Sequence, residues 1–239
     1  MAARHDILSA KAEKAISVPE PTLRRLPLYH RVLKDMLANG AERVSCTDIG
    51  LELHLDPTQI RKDLEFTGVA GRPRIGYQLA PLIEGIEQFL GWNNVNEAFL
   101  VGAGHLGAAL MGYKRFSEYG MSIVAAFDTD PLKVGKPVGG KKILPLVKLP
   151  ELARRMHILM GIITVPDAAA QEVADLMTSG GIMAIWNFAP VQLRVPERVI
   201  VHNENLYCSL ASLSQKLGMA LRASGRKHNL SRTPKVRDK

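Results

Sequence analysis

Ala98-Phe99-Leu100-Val101 runs into Gly102-Ala103-Gly104-His105-Leu106-Gly107, and Ala108-Ala109-Leu110-Met111 follows. An apolar run, a turn with spaced glycines and a good helix former predict strand, turn and helix. In such a turn Gly102 permits the bend, Gly104 lets a pyrophosphate approach the backbone, and Gly107 lets the helix pack close to the strand. The pattern gains weight from Ser122-Ile123-Val124-Ala125-Ala126-Phe127, a second strand ending in Asp128, 21 positions after Gly107. A carboxylate there accepts hydrogen bonds from an adenosine ribose. It also favours NAD over NADP, because it repels a 2′-phosphate and no Arg immediately follows it. Asp128 or Asp130 also suits the start of a plain turn at Asp128-Thr129-Asp130-Pro131, beside a glycine turn that holds no ligand.

Downstream, His157 to Val165 reads as a fully buried strand, and Pro166-Asp167 opens a helix carrying Ala170, Val173, Ala174, Leu176 and Met177. Ile182 to Ile185 and Val199 to Val201 supply two more strands. Strands alternating with helices imply an α/β fold with a doubly wound parallel sheet, whose ligands sit at the C-terminal strand ends. Thr164-Val165-Pro166 and Asn187-Phe188-Ala189-Pro190 are such ends. The expected NAD(H) neighbours are therefore Gly102, Ala103, Gly104, His105, Leu106, Gly107, Asp128, Thr164, Val165, Pro166, Asn187 and Phe188. No remaining segment is large enough for a substrate domain. His105 lies in the glycine turn and His202 at a strand end, neither with an acid/base partner nearby in sequence, so no catalytic set is expected. No metal-ligand spacing occurs. A dinucleotide site without catalysis suggests sensing.

Upstream, Leu23, Leu26, Leu28, Tyr29, Val32, Leu33, Met36 and Leu37 recur at helical spacing, and Asn39-Gly40 supplies the stop. Ser45 with Asp48 forms an acidic capping box for a short second helix that breaks at His54-Leu55. Asp56-Pro57-Thr58-Gln59 opens a third helix to about Phe66: Asp56 caps, Pro57 takes the first position, and Gln59 can reach back to the cap. Two short helices across a tight turn, the second opening with polar residues, describe a helix-turn-helix. Gly68 to Leu79 then reads as a β-hairpin wing with a basic tip. Thr58, Gln59, Arg61, Lys62, Arg72 and Arg74 are the expected DNA contacts. A small helical interaction module with solvated charges is the other reading of the same pattern. Pro81 to Leu90 reads as a connecting helix ending at Gly91.

Of 239 residues 46% are apolar and 23% charged, which excludes disorder and coiled coil for most of the chain. The two cysteines, Cys46 and Cys208, are too few for a disulfide framework and fit a reducing cytoplasm. Met1 to Lys14 mixes charges with small residues, and uncharged stretches are broken by Pro166, Gly180-Gly181 and Pro190, so neither signal peptide nor membrane span is expected. Residues 1–90 hold 12 Lys/Arg and 12 Asp/Glu, 91–220 hold 12 and 10, and 221–239 hold 7 and 1, which distributes the net +8 as 0, +2 and +6. Most of the excess lies in a tail with few apolar anchors, expected to be a disordered end or an added source of nonspecific phosphate attraction.

Arg25-Leu26-Pro27-Leu28-Tyr29, Gln59-Ile60-Arg61-Lys62-Asp63-Leu64, Gly76-Tyr77, the glycine turn, Phe127-Asp128-Thr129-Asp130-Pro131 and Asn187-Phe188-Ala189-Pro190 occur in one order. Over roughly residues 16–220 the chain resembles the Rex family of redox-sensing transcriptional repressors. The resemblance implies a cytoplasmic homodimer that binds an inverted-repeat operator when NADH is scarce and leaves it when NADH closes the two Rossmann domains. It also implies that a last helix, about Leu206 to Leu221, is exchanged between subunits; the same leucine stripe would also suit packing within its own chain. The expected layout is a winged-helix DNA-binding domain over 1–90, a Rossmann domain over 91–204, the exchange helix over 205–221 and the basic tail over 222–239. The family's switch arginine, tyrosine and acid correspond to Arg31, Tyr113 and Asn205. The last is a departure, since an amide cannot form the ion pair a carboxylate would; either Glu204 substitutes or the coupling differs. His105, where the family often has asparagine or arginine, is a second departure. A small NAD-dependent oxidoreductase and a CoA-binding regulatory protein are the competing readings on this fold.

Overall fold

A computed structural model of the chain describes residues 18–93 and 96–223. Most of the basic tail, 224–239, and the segment 1–17 lie outside the described residues, so the expectation of a disordered tail falls there. The chain divides into two compact units, 1–95 together with 115–121, and 96–114 together with 122–239.

The first unit contains α1 (Glu20–Ala38), α2 (Cys46–Leu53), α3 (Pro57–Glu65) and α4 (Leu79–Phe89). The caps explain the helix-turn-helix. Ser45 Oγ accepts from the Asp48 N–H while Asp48 accepts from the Ser45 N–H, so α2 begins on a reciprocal box. Asp56 accepts from the Thr58 and Gln59 N–H groups at 2.6 and 3.3 Å at the head of α3. Gln59, expected to reach back to that cap, instead donates forward to Asp63 Oδ1 at 3.1 Å. Asp63 is an i,i+4 partner on the same helix face. β1 (Arg43–Val44) pairs antiparallel with β2 (Tyr77–Gln78), and the wing between α3 and β2 closes on a single bridge, Arg72 to Gly76. The connecting helix α4 starts at Leu79 rather than Pro81, because Leu79 and Leu82 are drawn into the core. That core comprises Leu26, Tyr29 and Leu33 of α1 with Ile49, Ile60, Leu64, Leu82 and Ile86, all fully buried.

The second unit is built on a seven-stranded sheet among the described residues: β3 (Asn96–Val101), β4 (Met121–Asp128), β5 (Pro137–Val138), β6 (Lys141–Pro145), β7 (Met160–Ile163), β8 (Ala184–Asn187) and β9 (Ile200–Asn203). Their order is β5-β6-β4-β3-β7-β8-β9, with β3–β7, β4–β6, β7–β8 and β8–β9 parallel and β5–β6 antiparallel. Leaving aside the β5 edge, this is the doubly wound dinucleotide-binding order, which reverses direction between β3 and β7. Phe99 and Phe127, with ring centroids 4.9 Å apart, anchor the core from adjacent strands. Each contributes about 1.5–3 kcal/mol through burial.

Three expected strands are shifted. His157 does not start β7; it stands at φ 54° as the left-handed cap of a helix, α6 (Leu149–Met156), and the strand begins three residues later. The apolar run from Ile158 continued the pattern across a helix end, which periodicity cannot see. β8 covers Ala184–Asn187 instead of 182–185, and β9 Ile200–Asn203 instead of 199–201. The remaining helices are α5 (His105–Met111), α7 (Asp167–Ser179) and α8 (Leu206–Ala223).

Candidate nucleotide cradle and nucleic-acid interface

At the reversal point the chain leaves β3 through Gly102, whose φ of 102° only glycine adopts without strain. A Cβ on Gly107 would run into the Gly102 carbonyl, whereas one on Gly104 would meet nothing within 4 Å. Close packing at the first and last glycines and open space at the middle one give a turn that a pyrophosphate can approach. From β7, Thr164 locks the other wall: its N–H donates to the Val101 carbonyl at 2.9 Å, and its hydroxyl to the Gly102 carbonyl at 2.8 Å.

Asp128 ends β4 beside this turn and is 8% exposed. Its Oδ2 accepts from the Ala103 N–H at 2.9 Å and the Lys133 ammonium at 3.1 Å, and its Oδ1 accepts from the Asp130 N–H at 2.9 Å. Burial pushes the carboxyl up, but these three donors and the Lys133 charge outweigh it and hold the group below the ordinary carboxylate value. It is an ionised acceptor with lone-pair capacity left on Oδ1. Lys133, five positions downstream, is a cation beside Asp128 that adjacency in sequence does not predict. Asp128, Gly102, Gly104, Thr164, Val165 and Pro166 all line one cleft of about 490 Å³, within the range of small-ligand sites. The chemistry of that lining fits a dinucleotide's diphosphate and ribose diol.

Other expected neighbours are placed differently. Ala103 faces Asp128 through its N–H, Gly107 is buried under the turn, and His105 and Leu106 are exposed on α5. Asn187 is fully buried and committed to structure: its amide donates to the Ala189 and Val191 carbonyls and to Asn203 Oδ1, while its oxygen accepts from the Ala189 N–H. Phe188 lines a second cavity of about 700 Å³ with the start of α8.

In the first unit, Arg61 of α3 and Arg72 and Arg74 of the wing line one concavity of about 640 Å³, joined by Arg43 of β1, which helical periodicity had no means of placing. Arg74 sits at φ 62° at the wing tip. Thr58, Gln59 and Lys62 are exposed on α3. What fixes α3 is a buried carboxylate, Asp63, 1% exposed. It accepts from Arg25 in a bidentate pair at 2.7 and 2.9 Å, from the Tyr29 hydroxyl at 2.7 Å, and from Thr22 at 2.8 Å. Burial raises this carboxyl, but the Arg25, Tyr29 and Thr22 bonds prevail and keep it low. Asp63 pushes the Arg25 guanidinium up, and burial followed by Asp63 pushes the Tyr29 phenol up. An acid on the apolar face of an amphipathic helix was the available signal.

Of the three expected switch positions, Arg31 belongs to the first unit and is exposed beside a pocket it shares with His30, Lys34 and Glu87. Tyr113 and Asn205 belong to the second. Asn205 Oδ1 accepts from the Cys208 N–H at 3.2 Å, so it caps α8. Glu204, the alternative acid, accepts from the Trp186 indole N–H at 3.0 Å. Among the described residues no cluster of His, Cys, Asp or Glu suits a metal, and no helix is long and apolar enough to cross a membrane.

Comparison with known proteins bears on both units. Residues 17–65 match the family model described as "Putative DNA-binding protein N-terminus", and residues 93–191 match the CoA binding domain. The chain is 42% identical over 203 residues to the redox-sensing transcriptional repressor Rex of Bacteroides thetaiotaomicron, covering 84% of this chain and 91% of that one. It is 44% identical over 193 residues to the Rex repressor of Treponema denticola, covering 81% and 92%. Among solved structures it is similar to RSP in complex with β-NAD+ and operator DNA (TM-score 0.80) and to RSP with β-NADH (TM-score 0.78). Both are 31% identical, covering 88% of this chain and 99% of RSP. With an arginine-lined helix-turn-helix, a glycine-turn cleft closed by an acid, and relatives matched along most of both chains, this protein belongs to the Rex family of redox-sensing transcriptional repressors.

Proposed function

We propose that this chain binds an inverted-repeat operator as a cytoplasmic homodimer and that NADH, bound in the Gly102 to Asp128 cleft, releases it. The observation that carries the reading is the pairing, in one chain, of that cleft with the concavity lined by Arg43, Arg61, Arg72 and Arg74. In the DNA complex Thr58, Gln59, Arg61 and Lys62 present the head of α3 to the major groove, and Arg72 and Arg74 lie on the sugar-phosphate backbone. In the cleft, the Gly102 to Gly107 backbone receives the diphosphate and Asp128 the adenosine ribose; when bound, the dinucleotide supplies only the redox state that is read. Thr164, Val165 and Pro166 form the opposite wall, with Asn187 holding the Phe188 loop in shape.

Dimerisation is supported by α8, where Tyr207, Leu210, Leu213 and Leu217 are 57–68% exposed in the single chain. So long an apolar stripe on a helix calls for a partner surface, and an exchanged α8 satisfies it. Arg31, Tyr113 and Asn205 are the switch positions. A ligand that prefers one dimer arrangement shifts the population of the other, so the two affinities are coupled reciprocally. The protein is then a regulator without turnover.

The match of residues 93–191 to the CoA binding domain favours one competing reading, CoA in the same cleft. A mobility shift on an inverted-repeat duplex, run with NAD+, NADH and CoA side by side, separates the two. Release by NADH alone is expected; release by CoA alone, or by none, overturns the proposal. Absence of NADH consumption when 2-hydroxy acids or aldehydes are added tests the non-enzymatic reading.

A further inference from the structure

We propose that Asp130 and Lys133 decide which dinucleotide the cleft accepts, Asp130 acting as a specificity-determining residue by offsetting the charge that the Lys133 ammonium would present to an incoming 2′-phosphate. This rests on the NAD(H) reading of the cleft. Among the described residues lining it, the charged side chains are Asp128, Asp130, Glu172 and Lys133, so one cation stands among three acids. Lys133 Nζ lies 3.1 Å from Asp128 Oδ2 and 3.9 Å from Asp130 Oδ2. The ammonium is therefore bonded to the carboxylate that would receive the ribose diol, and Asp130 lies farther from it.

An ammonium there is in principle a phosphate receptor, and it would undo the discrimination that Asp128 provides. Two features withhold it. Asp128 and Asp130 flank it, and the turn that carries it is tied down: Asp130 Oδ1 accepts from the Leu132 N–H at 2.8 Å, and the Asp130 carbonyl accepts from the Lys133 and Val134 N–H groups. The triad carries net −1, which suits a ribose diol and opposes a phosphate dianion. Lys133 keeps 39% of its side chain exposed, so a long stem can swing if one carboxylate is neutralised.

Asp130→Asn removes one charge and preserves the turn, because an amide oxygen still accepts from Leu132. The test is calorimetric titration of the full chain and of D130N, K133Q and D130N/K133Q with NADH and with NADPH. Wild type is expected to bind NADH and to bind NADPH far more weakly. In D130N the NADPH affinity is expected to rise about tenfold, the gain of one charge-assisted contact, with NADH changed by less than about twofold. K133Q alone gains nothing, and the double variant loses the D130N gain. A gain that persists in the double variant would mean that removal of negative charge suffices and would overturn the role of Lys133. No gain in D130N would overturn the role of Asp130. If wild type bound neither dinucleotide while remaining folded, the functional reading itself would fall and take this inference with it.

Discussion

The two units fix their functional surfaces by opposite means. In the first, α3 is held to α1 by side-chain chemistry: one buried carboxylate, Asp63, gathers Arg25, Tyr29, Thr22 and Gln59. In the second, the cleft is shaped by backbone: Gly102 and Gly107 touch where no side chain fits, and Thr164 ties two strand ends through carbonyls. The difference teaches that the first unit is vulnerable to charge and the second to volume. The two tryptophans give a reporter for each, Trp92 in the first unit and Trp186 in the second.

The largest break is expected from Asp63→Ala. Removing one partner of a buried ion pair costs about 3–5 kcal/mol, because the other charge loses its compensation. Urea unfolding of a Trp186→Phe background, which leaves Trp92 to report, should show that loss, and operator binding should vanish while NADH titration stays unchanged. The pH dependence sharpens the contrast. Asp63 and Asp128 both titrate below the ordinary carboxylate value, so the stability each provides is present above about pH 4 and lost as pH falls through its lowered folded value. Acid therefore weakens both units. Tyr29 is raised, so its contribution is complete below about pH 10 and lost as pH rises through the folded value. Alkali should unfold the first unit while the Trp186 signal of the second persists; simultaneous loss of both signals would remove the contrast.

Gly107→Ala is the volume counterpart. Its methyl would enter the space of the Gly102 carbonyl, and forcing such a contact costs about 1–3 kcal/mol. NADH affinity should fall by roughly ten- to a hundredfold, while operator binding without ligand is retained. Arg43→Ala comes next. As one cation on the concavity it should weaken DNA binding similarly across sequences and reduce the salt slope by about 1. Arg61→Ala, on the helix proposed to meet base edges, should also relax sequence preference; equal behaviour of the two would place Arg61 on phosphate alone.

What was legible in the sequence follows the same division. The capping box at Ser45, the Asp56 side-chain cap and the Gly102 to Gly107 turn announce themselves because local chemistry dictates them, and all three appear where expected, although Gln59 does not close a box at Asp56. The network around Asp63 joins residues up to 41 positions apart, so no local rule reaches it. Arg43 joins the other arginines only because β1 pairs with β2 across the 32 positions between Val44 and Tyr77. Lys133 escapes any reading confined to the residue next to Asp128, because a turn brings it round five residues later. β7 starts later than the apolar run predicts because His157 takes a left-handed cap, a conformation uncommon for a residue other than glycine.

The smallest expected effect on stability belongs to Asn205→Asp, and it bears on where the two units' affinities are linked. Asn205 already caps α8, and asparagine and aspartate cap about equally well, so the fold should change by no more than about 0.5 kcal/mol. A carboxylate at that position would supply the acid proposed for the switch, with Arg31 as its proposed ion-pair partner. Glu204 is occupied by Trp186 and so is poorly placed to substitute. The ratio of operator affinities without and with NADH should then increase several-fold in N205D, with each ligand's separate affinity little altered, and Arg31→Gln should cancel the gain. An unchanged ratio would mean that capping, not pairing, is what position 205 contributes, and that coupling in this chain runs through contacts other than the Arg31 pair.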